Sequence, residues 1–279
     1  MIFSDGGITV KKVGIVGTGN MGSALLHGIL DANYMKPANV SVHDADYEKM
    51  ESLSREIPGL GFCDHVQDLA SNSDIIIIAV KPGIVSSVIE AMGPALKGKA
   101  VVSIAAGWTC GMLERALSPY GCSYLRVMPN TPAMVGEGMT ALCLEHTMTE
   151  DDYTFAKGIF DSLGRTVELH EKMFDGVIAL SGSSPAYVFM LIETMAQAGV
   201  RYGIPMNTAI EMAAQSVLGS ALMVLSSGDH PAVLRDHVCS PAGTTIEAVA
   251  AMEESGFRNA LLQGMDACVR KSREMSQKQ

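Results

Sequence analysis

Apolar positions along this chain follow two different rhythms, and the change comes near residue 170. In the first part, short β-branched runs alternate with amphipathic stretches. KVGIVG (12–17) reads as a buried strand, and the helical pattern MGSALLHGILDAN follows it. VSVHD (40–44) is a second strand, and YEKMESLSREI a helix stopped by Pro58 and Gly59. DIIIIAV (74–80) is apolar throughout its centre, as a strand covered on both faces must be, and KAVVSIAAG (99–107) repeats that pattern. LRVMPN and TALCLE supply two more strands. TEDDYTFAKGIFDSLG reads as a helix with Thr149 and Asp152 as a capping pair, and RTVELH as an edge strand. Strand and helix in alternation with short links predict a parallel sheet wrapped by helices, and right-handed crossovers favour a doubly wound fold.

Beyond residue 170 the texture is different. PAYVFMLIETMAQAGVRYG and NTAIEMAAQSVLGSALMVL are apolar nearly all round, the second rich in Ala, Gly and Ser. Such helices are buried on more than one side, and small residues let them approach closely. A stretch this short cannot bury them alone, so the pattern predicts a partner subunit, most simply in a two-fold dimer. A self-contained bundle packed on the first domain is the alternative. The expected architecture is α/β: an N-terminal Rossmann-type doubly wound sheet over 1–170, with 1–10 a flexible leader, then an all-α dimerisation and substrate domain over 171–279.

Composition narrows the function classes. The chain has 279 residues, 48% of them hydrophobic, enough to core one large or two modest domains. Its formal net charge is −10, with Lys and Arg scattered, which argues against nucleic acid as a partner. No unbroken apolar run reaches the roughly 18 residues that span a bilayer, which argues against a membrane. The start, MIFSDGGITVKK, lacks the order of a signal peptide. Six cysteines without a CxxC pair read as reduced thiols in a cytoplasmic protein, and no Cys/His set has zinc-ligand spacing, so no metal is expected. Nineteen methionines and few aromatics suit an adaptable, helix-rich interior.

The first chemical signal is GTGNMG (17–22). Alone the pattern is weak; leaving a strand and entering a helix near the chain start gives it meaning. Gly17 permits the tight turn, Gly19 lets a pyrophosphate reach the backbone, and Gly22 lets helix and sheet touch. Thr18 lies within this turn. The amides of Asn20 and Met21 then face the phosphates with the helix dipole behind them. Asp44 ends the second strand. An acid there accepts hydrogen bonds from the adenosine ribose and repels a 2′-phosphate, which favours NADH over NADPH. Asp44 could instead cap the next helix, although Asp46 is equally placed to do so. His43 could contact a phosphate, which keeps NADPH open.

Two further strands end where the sheet's carboxyl edge should be. Ala79, Val80, Lys81 and Pro82 lie on one loop, and Ala105, Ala106 and Gly107 on the other. Both should line the groove beside ribose and nicotinamide, the small residues leaving room for a flat ring. Lys81 reads better as solvated or phosphate-facing than as catalytic. In RVMPNTPAMVGEG, two prolines bracket Asn130, which could touch the cofactor, tie neighbouring loops or hold a structural turn. Whether Arg126 faces the site depends on its place in the strand.

In the second half two hydroxyl clusters open helices. LSGSSPAYVF sets Ser181, Gly182, Ser183 and Ser184 before Pro185, a group of small polar residues suited to a carboxylate, although a simple cap by Ser183 or Ser184 explains one of them. SPAGTTIEAV repeats the device: Pro241 and Gly243 shape a turn, Thr244 or Thr245 caps the helix, and the other hydroxyl is free to reach a pocket.

GTGNMG, AVKP, RVMPNTP, LSGSSPAYVF and SPAGTTIEA together, in this order along almost the whole chain, resemble the pyrroline-5-carboxylate reductase family. The resemblance implies a Rossmann domain and a helical domain interlocking two subunits, with dimers sometimes gathered into larger assemblies. It implies reduction of the cyclic imine 1-pyrroline-5-carboxylate to L-proline with NADPH or NADH. It places the substrate carboxylate on backbone amides of Ser181–Tyr187. It assigns Thr245 the hydrogen bond to the ring nitrogen, reached from the partner chain. Two positions depart from the family pattern: Ser184 stands where Gly is usual, and Ala242 replaces the first Gly of a Pro-Gly-Gly turn. Two rival readings remain. One is a related reductase of another imine, a keto acid or a deazaflavin; its β-hydroxyacid-type form is disfavoured because residues 185–225 contain no Lys. The other is a non-catalytic nucleotide-sensing protein on the same fold.

Overall fold

The computed structural model describes residues 11–277, so the predicted leader lies outside the described residues. Two compact units divide the chain, one of residues up to Gly182 together with those from Cys268 onward, the other Ser183–Ala267.

In the first unit β1 (Val13–Val16), α1 (Asn20–Asp31), β2 (Val40–His43), α2 (Tyr47–Glu56), β3 (Gly61–Phe62), α3 (Val66–Asn72), β4 (Ile75–Ile78), α4 (Val85–Met92), β5 (Ala100–Ser103), α5 (Cys110–Leu117) and β6 (Ser123–Met128) alternate; β3, α3, α4 and α5 are additions to the elements the sequence pattern named. β7 (Gly138–Cys143), α6 (Glu150–Asp161), β8 (Gly164–Leu169) and the short α7 (Phe174–Val177) complete it. The eight strands lie in the order β3-β2-β1-β4-β5-β6-β7-β8. All neighbours are parallel except β6 and β7, and β8 is an edge.

The run Ile75–Ile78 shows why the sheet forms. Side chains alternate across a strand, so Ile75 and Ile77 enter one apolar cluster with Val13, Ile15 and Leu25, while Ile76 and Ile78 enter another with Val16, Leu69 and Ile89. All four isoleucines are fully buried. At the start of α6 Thr149 does cap: its hydroxyl oxygen accepts from the Asp152 N–H at 3.2 Å. The predicted strand 99–107 stops at Ser103, which frees Ile104–Gly107 as a loop.

The second unit holds α8 (Ser184–Arg201), α9 (Met206–Ser227), α10 (Pro231–Val238), α11 (Thr244–Glu254) and most of α12 (Phe257–Gln277), whose last turns belong to the first unit. There Ser272 Oγ donates to Asp175 at 2.7 Å. α8 packs on α9 through small residues: a Cβ on Gly199 would lie 3.0 Å from that of Ala209. In α8 and α9 only Ala196, Ala209 and Ala213 are buried, whereas Phe189, Met190, Leu222 and Met223 stand exposed. Glu171–Arg201 and Met206–Ser227 are long and apolar enough to cross a membrane by length and composition, which the count of unbroken apolar runs did not reveal.

Candidate active site

Val16 lies level with His43 and with Ile78, and Ile78 with Ser103. The Gly-rich turn, the turn after β2, and the loops after β4 and β5 therefore leave from one carboxyl edge. Strand order reverses there between β1 and β4, the place where open α/β sheets hold ligands.

Gly17 has φ 95°, a conformation that a side chain opposes. A Cβ on Gly22 would lie 1.9 Å from the Gly17 carbonyl oxygen, so only glycine lets α1 start this close to the strand. Gly19 has no atom within 4 Å of its absent side chain. It is the N-cap of α1, without a side-chain cap or an acid in the first turn, so the amides of Asn20 and Met21 present the helix's positive end.

Asp44 and Thr18 face each other across this turn. Asp44 Oδ2 accepts from the Thr18 N–H at 2.6 Å and from its hydroxyl at 2.8 Å, and Oδ1 accepts from the Asp46 N–H at 2.9 Å. Burial pulls the Asp44 pKa up, but these hydrogen bonds and Lys49 outweigh it and hold the carboxyl below its ordinary value. Asp46, not Asp44, caps α2, accepting from Lys49 N–H at 3.3 Å. The Lys49 ammonium pairs with the same Asp46 at 3.5 Å. His43 Nδ1 lies 2.9 Å from the Cys63 carbonyl, which can only accept, so Nδ1 carries the proton.

Ala79 and Val80 are half-buried, Lys81 is exposed, and Pro82 opens a single 3-10 turn. Ala105 and Gly107 are buried and Ala106 half-buried. The two loops are tied by a residue sequence reasoning passed over: Trp108 Nε1 donates to the Pro82 carbonyl at 2.9 Å. Its signal was there, since the chain's one tryptophan follows SIAAG directly and a buried indole N–H needs an acceptor.

Asn130 is buried with both ends of its amide engaged by protein. Oδ1 accepts from the Met139 N–H at 2.9 Å, and Nδ2 donates to the Ser181 carbonyl at 3.1 Å. Arg126 points into a structural cluster. Its Nη1 meets Glu171 at 2.7 Å and its guanidinium lies 4.6 Å from the Phe174 ring centroid. A cleft of about 580 Å³ beside it, lined by Glu145, Asp175 and Arg273 among others, takes in none of the predicted site residues.

Ser181 and Gly182 end a π-helical turn, Ile178–Gly182. Ser183 is the N-cap of α8 without a side-chain cap bond, and Ser184 and Pro185 begin the helix. At α11 the prediction fails in one respect. Gly243 is the N-cap, no side chain caps the helix, and Thr244 and Thr245 are its first two residues. A Cβ at position 243 would crowd Ser240, at 2.3 Å from its Oγ and 3.1 Å from its carbonyl oxygen. Neither threonine hydroxyl serves as the cap.

A Gly-rich turn and acid at the switch point of a Rossmann-type sheet, followed by a helical unit, define an NAD(P)-dependent oxidoreductase. Residues 12–107 match the family described as NADP oxidoreductase coenzyme F420-dependent, and residues 171–275 the family described as pyrroline-5-carboxylate reductase dimerisation. Pyrroline-5-carboxylate reductase of Escherichia coli (strain K12) is 44% identical over 95% of this chain and 98% of that one. That of Arabidopsis thaliana is 37% identical over 95% and 96%. A crystal structure of Plasmodium falciparum pyrroline carboxylate reductase with NADP bound superposes with a TM-score of 0.87 at 33% identity, covering 95% of this chain and 98% of that one. The chain belongs to the pyrroline-5-carboxylate reductase family.

Proposed function

We propose that this chain reduces 1-pyrroline-5-carboxylate to L-proline, serving proline biosynthesis. The observation that carries this reading is family membership along 95% of the chain, joined to a Gly-rich turn in which Gly19 leaves the backbone open and Gly22 admits no side chain.

A reduced dinucleotide bound at this turn supplies the hydride for the imine carbon. The chain's residues do the rest. The amides of Asn20 and Met21 hold the pyrophosphate, and Asp44 accepts from the ribose hydroxyls. Ala79–Pro82 and Ala105–Gly107 flank the remaining ribose and ring. The backbone of Ser181–Ser184 and of Gly243, with the Thr244 hydroxyl, holds the substrate carboxylate. The Thr245 hydroxyl donates to the ring nitrogen and polarises the C=N bond. As the hydride adds to the carbon, the ring nitrogen takes up one proton from solvent through this hydrogen bond, which gives the amine of proline. Orientation lowers such a barrier by roughly 7–11 kcal/mol.

NADH is the preferred donor on this reading. Asp44 holds its charge at the adenosine end, Lys49 is paired with Asp46, and His43 directs its proton to Cys63. The protein acts as a cytoplasmic homodimer, with further assembly of dimers open to it. The residues that match the dimerisation family include the exposed apolar faces of α8 and α9, so a second copy covers them, and neither a membrane nor nucleic acid is needed as partner. The test is loss of nicotinamide absorbance on adding 1-pyrroline-5-carboxylate, with NADH and NADPH compared. Turnover with a higher kcat/KM for NADH is expected; no turnover with either overturns the reading.

A further inference from the structure

We propose that Trp108 is a positioning residue for the nicotinamide half of the dinucleotide: its indole N–H sets the spacing of the loops after β4 and β5, and so sets affinity for NADH without setting affinity for the adenosine end. This rests on the reading that Ala79–Pro82 and Ala105–Gly107 flank the second ribose and the nicotinamide.

β4 and β5 stay paired as far as the Ile104 N–H, which donates to the Ile78 carbonyl at 3.2 Å. Past that point a side chain bridges the two loops: Trp108 Nε1 donates to the Pro82 carbonyl at 2.9 Å. Each loop is also anchored on its far side. The Ala79 N–H donates to the Val16 carbonyl at 2.8 Å, and a Cβ on Gly17 would lie 2.8 Å from the Ala79 carbonyl oxygen, so the first loop lies against the Gly-rich turn. The Pro82 carbonyl accepts from the Val85 N–H as well, where α4 begins. In the second loop the Trp108 N–H donates to the Ala105 carbonyl at 3.3 Å and closes a turn in which Gly107 has φ 82°. A Cβ on Gly107 would lie 3.4 Å from that of Met275, so the last turns of α12 back this turn. Thr109 then caps α5, its hydroxyl oxygen accepting from the Met112 N–H at 3.2 Å.

The indole itself has little freedom. Trp108 is 4% exposed and belongs to the apolar cluster that includes Val85, Ile89 and Leu113. A buried indole N–H needs an acceptor, and the Pro82 carbonyl provides it. Without that bond the ring keeps its apolar burial, but the two loops are no longer held at one separation. Binding must then order them first, at a cost in affinity. On the proposed reading that cost falls on the second ribose and the nicotinamide, which lie between the loops. Adenosine and pyrophosphate meet Asp44 and the Gly-rich turn instead.

The chain has one tryptophan, so expression in a tryptophan auxotroph fed β-(3-benzothienyl)alanine exchanges the indole N–H for sulfur at position 108 alone. Trp108→Phe removes the donor with a smaller ring. Isothermal titration calorimetry on the parent and both altered proteins measures Kd for NADH and for ADP, which carries adenosine and pyrophosphate but neither the second ribose nor the nicotinamide. Loss of the one hydrogen bond should raise NADH Kd by about fivefold and leave ADP Kd within about twofold. An unchanged NADH Kd, or NADH and ADP Kd rising together, overturns the assignment. A rise with Trp108→Phe but not with the sulfur form traces the effect to ring size and overturns it as well. The sulfur form keeps the shape of the indole, so it decides the case should Trp108→Phe fail to fold. A parent that binds NADH but leaves 1-pyrroline-5-carboxylate unreduced fails the functional reading alone, and the Kd comparison still decides the role of Trp108. A parent that binds no NADH overturns both.

Discussion

The Asp44 carboxylate grips Thr18 through a single oxygen, which takes both the backbone N–H at 2.6 Å and the hydroxyl at 2.8 Å. The acid at the end of β2 is thereby fixed to the Gly-rich turn, and on the proposed reading its charge would face an incoming 2′-phosphate. Asp44→Asn keeps the size and an accepting oxygen but removes the charge. The ratio of kcat/KM for NADPH to that for NADH should rise about tenfold, a modest figure because the site is partly solvated. Parallel steady-state assays with both dinucleotides check it, and an unchanged ratio would show that Asp44 does not select.

Ala242 has φ 56°, in the left-handed region where a Cβ is opposed. The family pattern that the sequence resembles has glycine at this position, where an alanine is strained. Ala242→Gly should stabilise the protein by about 1 kcal/mol, read as a higher urea midpoint at unchanged slope. A lower midpoint would mean that the methyl group makes contacts worth more than the strain.

Glu145 ties the end of β7 to the turn before α7. Its carboxylate takes a hydrogen bond from His170 at 2.9 Å, then the Glu171 N–H at 2.8 Å and the Cys143 thiol at 3.2 Å, and these hold its pKa down at about 2. A depressed carboxylate adds stability that is in place above its ordinary value near 4.5 and is lost as pH falls towards about 2. Glu145→Gln should flatten the fall of stability across that window and leave the protein less stable at neutral pH. Denaturant titrations at several pH values measure this; parallel curves for parent and variant would contradict it.

Thr245 is the second residue of α11 and does not cap it; in the proposed mechanism its hydroxyl meets the substrate. Thr245→Val preserves shape and removes the donor. On the order of 10²–10³ should be lost from kcat/KM for the imine if the hydroxyl stabilises charge at the ring nitrogen as an oxyanion-type donor does. Dinucleotide Kd should not move. Full activity would remove Thr245 from the mechanism.

What the sequence disclosed follows from what local pattern encodes. Four consecutive isoleucines announce a strand covered on both faces, and the structure divides them evenly between two apolar clusters. The Gly-rich turn was legible because Gly17 and Gly22 meet steric demands no other residue satisfies. β3 was missed because two residues carry no period, and the antiparallel step from β6 to β7 because alternation is the same in either direction. At the second hydroxyl cluster Gly, Thr and Thr all suit a cap, and local pattern does not say that Gly243 takes it. The types of Asp44 and Asn130 drew attention, but their partners Thr18, Met139 and Ser181 are set by tertiary folding.

The proposed function stands on hydride transfer from a nicotinamide to the imine carbon of 1-pyrroline-5-carboxylate. The most direct measurement uses NADH carrying deuterium at the transferable position of its nicotinamide ring, with the proline product examined by mass spectrometry and NMR. Proline should bear one deuterium at the carbon that was doubly bonded to nitrogen. Unlabelled proline, label at another carbon, or no proline at all would contradict it.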